Sequence, residues 1–266
     1  MEVGICTSFA PEMSFEQAIP LIAEAGFTVT SLGGVPELAG YDGPENRRKL
    51  EKLLRQYHLS IDSVHAPFPD ADRLFSLDES ERQHSLDCGR LALDAAAELD
   101  GKVVVIHLIP YGIPPGEKRQ QMIEQGRRSV ATLADYAASR NVKLALENGQ
   151  RLDYDQVLFQ LLEEFQVPQV GLCYDSGHEN VQGNCFQILE RYGQRLLALH
   201  LHDNLGSDTH LLPFEGNIDW EAFRRAMQKL DYPGTLILES SQRSSAFQQS
   251  REFLREAKKR VEKLLP

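Results

Sequence analysis

Six successive apolar runs in this chain each end in a side chain able to bind a metal ion, and that recurrence limits the fold more than any other feature. SVHAPF carries His65, KVVVIH carries His107, VKLALEN carries Glu147, and QVGLCYDSGH carries Asp175 and His178. LLALHLHD carries His200 and His202, TLILES carries Glu239, and a DTH triplet between those two runs adds Asp208 and His210. Each run is short and rich in Val, Leu and Ile, as a strand buried on both faces should be. Polar residues at the C-terminal ends are explained if the strands lie parallel and close into a barrel, because those ends then converge on one face. The chain is therefore expected to be an α/β protein, a single (β/α)8 barrel with a metal site at its C-terminal face.

The rest of the sequence alternates in the same way. Strands are predicted at 2–6, 29–32, 61–65, 103–107, 142–147, 170–174, 196–201 and 235–239. Helices are predicted at 14–25, 44–57, 79–99, 117–140, 155–165, 180–192 and 219–230, with a last one carrying Phe253, Ala257, Val261 and Leu264 on one stripe. Ser14 with Gln17 reads as a capping box and Gly26 as a C-cap, while Pro20 is expected to kink or shorten its helix. A doubly wound open sheet is the alternative, but no Gly-rich nucleotide loop follows any strand. Barrels of about 250 residues routinely form one domain, so residues 1–266 are read as one.

Composition narrows the function. With 28 basic and 39 acidic side chains the net charge is −11, and the loop PFPDADRLFSLDES after His65 is itself acidic. Nucleic-acid affinity comes largely from Lys and Arg neutralising phosphates, so no nucleic-acid partner is expected. No apolar run approaches the ~18 residues of a membrane span, and MEVGICTSFAPEM lacks the pattern of a signal peptide. Cys6, Cys88, Cys173 and Cys185 show no paired spacing and read as free thiols of a reducing cytoplasm. Self-association is left open.

Each polar residue has a plainer reading. Glu147 and Glu239 could form salt bridges at a barrel mouth, though an inward carboxylate is costly without a partner. Asp175 could cap the following helix; His178 could not. His200 and His202, two apart on one strand, share a face, so one can bind metal while the other holds a hydrogen bond. His65 and His107 suit a hydrogen-bonded pocket as well as a metal, and Asp208 and His210 suit a surface loop. His58 and His84 read as surface residues and Trp220 as packing. Histidine and carboxylate without thiolate suits Mn2+, Mg2+, Co2+ or Zn2+.

The ordered set VHAPF, VVIH, LEN, YDSGH, HLHDN, DTHLLPFEGNIDW and LILES resembles the xylose isomerase-like TIM barrel superfamily, which includes sugar (phosphate) isomerases and epimerases and endonuclease IV. The resemblance to the epimerase branch implies one divalent ion on Glu147, Asp175, a histidine of HLHD and Glu239. Spacing to Asp203 selects His200, an HxH alignment selects His202, and His200 is preferred. It also implies Glu147 and Glu239 as catalytic acid–base residues, with His65 and His178 at the substrate. The endonuclease branch implies three zinc ions on His65, His107, Glu147, Asp175, His178, His200, Asp208, His210 and Glu239, so a second or third ion stays open. The expected activity is metal-dependent isomerisation or epimerisation of a sugar or sugar phosphate through an enediolate. The alternative is a multinuclear zinc phosphodiesterase acting at abasic DNA sites. A non-enzymatic binding barrel is disfavoured by the full ligand set.

Overall fold

The computed structural model describes residues 1–183, 186–230 and 232–265, which leaves Cys185 outside the described residues. Eight parallel strands run β1 (Val3–Cys6), β2 (Val29–Leu32), β3 (Ser60–His65), β4 (Val103–Ile106), β5 (Lys143–Glu147), β6 (Val170–Asp175), β7 (Leu196–His200) and β8 (Leu236–Leu238). They lie side by side in the order β7-β6-β5-β4-β3-β2-β1-β8. The remaining gap is bridged at Leu201, whose N–H donates to Ile237 O at 2.8 Å and whose carbonyl accepts from Glu239 N–H at 3.0 Å. The result is the expected TIM barrel, nearly closed.

Strand alternation sorts the side chains into two layers. Val104, Ile106, Leu144, Leu146, Leu172 and Leu199 point outward and join the main core beneath the helices. Val103, Val105, Ala145, Cys173 and Ala198 form a separate cluster inside the barrel. The interior is narrow and takes small residues: a Cβ on Gly4 would lie 2.6 Å from Ile237 Cδ1. Continuing the inner row two residues at a time leads from Val105 to His107, from Ala145 to Glu147, from Cys173 to Asp175, and from Ala198 to His200 and His202. A register shift makes Leu172 pair with Leu196 but Cys173 with Ala198. That bulge sets Asp175 opposite His200 on the inward face.

The helices are α1 (Phe15–Glu24), α2 (Pro36–Ala39), α3 (Pro44–Tyr57), α4 (Glu79–Glu98), α5 (Glu117–Ser139), α6 (Leu152–Glu164), α7 (Ser176–Val181), α8 (Gln187–Tyr192), α9 (Trp220–Leu230) and α10 (Ser250–Glu262). α1 opens on the predicted capping box, with Ser14 N–H donating to Gln17 Oε1 at 3.3 Å. It is not shortened at Pro20. Ala18, Ile19 and Ile22 are fully buried, and burying an isoleucine is worth ~1.5–3 kcal/mol, enough to offset one missing backbone hydrogen bond. The single helix predicted at 180–192 is instead two, α7 and α8. Gly183 has φ 75° and Phe186 has φ 66°, so the chain is outside the right-handed helical region at both positions. The buried Glu179 carboxylate starts α8 by accepting from Phe186 N–H (2.8 Å) and Ile188 N–H (3.0 Å). Cys6 and Cys173 are buried free thiols and Cys88 is half-buried, as expected. No helix among the described residues is long and apolar enough to cross a membrane.

Candidate metal centre

All the site residues expected from the sequence meet at the C-terminal mouth of the barrel. Glu147, at the end of β5, is 1% exposed and sits among histidines. Its Oε1 lies 2.9 Å from His200 Nδ1, and its Oε2 lies 3.2 Å from His107 Nε2 and 3.5 Å from His65 Nε2. Burial pushes its carboxyl up, but the neighbouring rings of His200, His107 and His65 hold it well below the usual range. Asp175 closes β6 and does two jobs. Its Oδ1 accepts from His178 N–H at 2.7 Å, capping α7, and lies 3.1 Å from His202 Nε2. Glu239 follows β8, and its Oε2 is 3.4 Å from His200 Nδ1.

The outer histidines are aimed by their other ring nitrogen. Nδ1 of His65, His178 and His210 donates to the carbonyls of Ala66 (2.7 Å), Asn148 (2.8 Å) and Glu239 (2.7 Å). A carbonyl only accepts, so Nδ1 carries the proton and a neutral ring keeps the Nε2 lone pair for the site. His107 Nδ1 is held in the same way by Asp72, 3.1 Å away. His202 and His210 stack with ring centroids 4.0 Å apart. Only glycine fits above His202, because a Cβ on Gly177 would lie 1.9 Å from its Cε1.

The loop after β7 brings in Asp208 and His210. Its organiser is Asp203, fully buried, which accepts from the N–H groups of Asn204 (2.9 Å), Phe214 (2.9 Å) and Ile218 (3.2 Å) and from Trp220 Nε1 (2.8 Å). Trp220 thus packs, as expected, and also holds the loop. Asp208 Oδ2 is 3.6 Å from His178 Nε2, and its Oδ1 is 3.6 Å from His202 Nε2 and 3.4 Å from His210 Nε2.

Donor atoms of Glu147, Asp175, His200 and Glu239 all lie within 4.8 Å of one another, a group that includes His200 and not His202. Overlapping groups join His65, His107 and Glu147; Asp175, His178 and His202; and His202, His210 and Glu239. Glu147 Oε2, Asp175 Oδ2, Asp208 Oδ1 and both ring nitrogens of His202 are buried without a hydrogen-bond partner. Buried carboxylate oxygens in that condition fit a cation, so these residues could hold one or more divalent ions. Cys173 lies close enough to Glu147 and His200 to form a further group. Burial pushes its thiol up to about 12, so it stands there uncharged and the donor set stays histidine and carboxylate.

The residues that sequence reasoning passed over are the ones that aim the donors. Asn148 clamps β6, its Oδ1 accepting from Asp175 N–H at 2.6 Å and its Nδ2 donating to Asp175 O at 2.9 Å. It stands beside Glu147 in the LEN run, which was its available signal. Asp72 had none: it reaches His107 from a loop 35 residues away. The centre opens into a cavity of about 630 Å³ that Glu147 and Glu239 both line.

A parallel barrel with histidines and carboxylates at its C-terminal mouth carries them on the face where enzymes of this fold build their active sites. The chain belongs to the xylose isomerase-like TIM barrel family, whose profile matches residues 19–257. It is similar to the uncharacterized protein MJ1311 of Methanocaldococcus jannaschii (29% identical over 96% of this chain and 89% of that one). Fructoselysine 3-epimerase of Escherichia coli is 26% identical over 100% of this chain and 99% of that one. Inosose dehydratase of Clostridium botulinum is 23% identical over 91% of this chain and 90% of that one. A solved D-tagatose 3-epimerase-like protein superposes with a TM-score of 0.78 at 26% identity, covering 99% of each chain. D-allulose 3-epimerase from Methylomonas sp., in complex with D-allulose, shares the fold with a TM-score of 0.82 at 20% identity, over 99% of this chain and 96% of that one. Sugar epimerases thus stand among both the relatives and the structural neighbours.

Proposed function

We propose that the protein is a divalent-metal-dependent epimerase or isomerase of a sugar, with Glu147 and Glu239 as its proton-transferring pair. The observation that carries this reading is the convergence of those two glutamates, at the ends of β5 and β8, on one nitrogen of His200 (2.9 and 3.4 Å) and on the wall of one cavity. When bound by Glu147, Asp175, His200 and Glu239, a divalent ion supplies Lewis-acid polarisation of a substrate carbonyl and its neighbouring hydroxyl. One glutamate then takes the proton from the carbon beside the carbonyl, leaving an enediolate. Return of a proton by the other glutamate to the opposite face gives epimerisation; return by the first to the adjacent carbon gives isomerisation. A carboxylate that binds metal is a weaker base, so each glutamate would act on the substrate through an oxygen left free of the ion. His65 and His178 orient substrate hydroxyls.

The test is exchange of the substrate's α-hydrogen with deuterated solvent in Glu147→Gln and Glu239→Gln. Acid–base groups of this kind contribute typically ~10²–10⁴-fold, and losses of that size are expected. If both variants keep their metal and exchange at the wild-type rate, the two-glutamate mechanism is wrong.

A second reading rests on the extra donor groups around His65 and His107 and around His178, Asp208 and His210. Three zinc ions there would suit phosphodiester hydrolysis at abasic DNA sites. The net charge of −11 opposes a grip on duplex DNA, so weak and unproductive DNA binding is expected. Metal content per chain separates the readings: one ion supports the epimerase, whereas three zinc ions with efficient cleavage of an abasic duplex at physiological salt would replace it.

A further inference from the structure

The metal cluster occupies one part of its cavity, and the remaining wall has a different chemistry. Val35, Phe68, Leu108, Ile109 and Tyr111 line it. Phe68 packs edge-on against His107, ring centroids 5.5 Å apart, so the apolar wall begins one side chain from the cluster. Tyr111 packs on Tyr154 at 5.3 Å, and each hydroxyl accepts a backbone hydrogen bond. That of Tyr111 accepts from Gln150 N–H at 3.0 Å and that of Tyr154 from Leu108 N–H at 2.7 Å. These contacts hold the rings in place, and the faces of Phe68 and Tyr111 stand as fixed apolar surface in the wall. Val35, Phe68 and Tyr111 nevertheless stay 45%, 54% and 45% exposed. Large apolar side chains left open around a concave site mark something that covers them.

Charge limits what that is. Arg73 is the only lysine or arginine lining the cavity among the described residues, and it is exposed. Asp72, Glu147, Asp208 and Glu239 line the same space. The lining histidines add no positive charge in the metal-loaded protein, because a histidine that ligates metal is a neutral ring. Even with one divalent ion bound, the four lining carboxylates outweigh that ion and Arg73 together, so a phosphate dianion would enter a space of net negative charge. Size points the same way: about 630 Å³ lies within the ~300–1,000 Å³ of sites for drug-sized ligands, and a free hexose would leave the apolar wall wet.

We propose that the substrate is an uncharged sugar bearing an apolar substituent, with the sugar over Glu147 and Glu239 and the substituent against Phe68 and Tyr111. The sugar half of this statement rests on the epimerase reading; the substituent rests on the wall.

The experiment is isothermal titration of the metal-loaded protein with methyl β-D-glucoside, phenyl β-D-glucoside and D-glucose 6-phosphate. Covering the wall with a phenyl ring should tighten binding about tenfold or more over the methyl compound, and the 6-phosphate should bind weakest. Phe68→Ala should shrink the phenyl advantage over the methyl compound to about threefold or less, with an unaltered melting temperature. Equal affinity for the two glucosides, tightest binding of the 6-phosphate, a phenyl advantage that survives Phe68→Ala, or no binding by any of them would overturn the proposal. Binding is read here without turnover. A failure therefore leaves the exchange test of the glutamates standing, and a failure of that test leaves this one standing.

Discussion

Ala198 and His200 stand two residues apart on β7 and point into the same barrel, yet their surroundings are opposite. Ala198 belongs to an apolar floor with Val103, Val105, Ala145 and Cys173. His200 belongs to the mouth, between Glu147 and Glu239. The floor is stabilised by removing apolar surface from water, which needs no partner and no particular pH. At the mouth, Glu147 and Asp175 are 1% and 0% exposed, a costly place for charge unless it is matched. Its stability is therefore conditional on protonated histidines or on bound cations. One strand face thus carries a permanent scaffold and, directly above it, a charge arrangement that responds to its ligands.

Substitution at these two positions should separate the regions most sharply at the mouth. His200→Ala removes the side chain that touches both glutamates. Changes to residues that merely orient metal ligands cost ~10–100-fold in affinity, so losing this one should cost at least ~100-fold in metal affinity and a similar factor in α-hydrogen exchange. Metal titration followed by exchange measurements checks it, and metal binding within about threefold of wild type would remove His200 from the centre.

The next effect is on pH. Burial pulls His107 and His210 down, but Asp72 and Glu147 lift His107 to about 10, and Asp208 and Glu239 lift His210 to about 9, from an ordinary 6.5. Folded values above unfolded ones mean that these pairs stabilise the metal-free protein fully below about 6.5, and that the contribution is lost as pH rises through about 9 to 10. The chelator-treated protein should melt at progressively lower temperature between about pH 6.5 and 10. The metal-loaded protein should not, because its histidines are then neutral ligands. Metal binding near neutral pH should also release protons into a weakly buffered solution. A metal-free melting temperature that is flat over this range would show that the mouth is not held by these pairs.

The floor should answer differently. Ala198→Leu adds bulk to a packed interior, which typically costs ~1–3 kcal/mol. The loss should appear in urea melts with metal stoichiometry retained at one half-saturating concentration. A loss of metal without a loss of stability would mean that floor and mouth are not separable.

How much of this was legible in the sequence follows from the same division. The inward row is a period-two pattern, so Val105–His107, Ala145–Glu147 and Ala198–His200 could be read as strand positions sharing a face. His200 and His202 share an inward face on that ground, His65 and His107 stand at the ends of their strands, and His178 and His210 lie beyond strand ends, where periodicity gives no placement. The geometry that distinguishes His200 from His202 was not readable, because their parity is identical. It arises from the bulge that sets Asp175 opposite His200 and from which ring nitrogen each presents. Asp72 and Asp203 were missed as organisers because their partners come from loops whose path no periodicity records. The break between α7 and α8 was missed because Glu179, which starts α8, looks in sequence like any helical glutamate.

The smallest effect expected is at Trp220, and it tests whether the mouth depends on its loop as well as on its strands. Trp220 gives Asp203 one of its four donors, and the ring is otherwise packed against Phe223 and Phe214. Trp220→Phe removes that donor while keeping an aromatic ring, and Asp203 retains three backbone N–H groups. A hydrogen bond to a charged acceptor is worth ~1.5–3 kcal/mol. With Asp203 still mostly satisfied, the lower end applies, and much of it should be spent locally in the loop from Asp203 to Trp220. Amide hydrogen exchange should quicken at Leu211 and Phe214, whose N–H groups are bonded to Asp203, and stay unchanged in β4 and β5. Asp208 and His210 ride on that loop, whereas Glu147 and Asp175 end their own strands, so a cation held only by the strand residues should lose no more than about twofold in affinity. A tenfold loss would mean that Asp208 or His210 holds the same ion, and would move the second and third donor groups from neighbours of the centre to members of it.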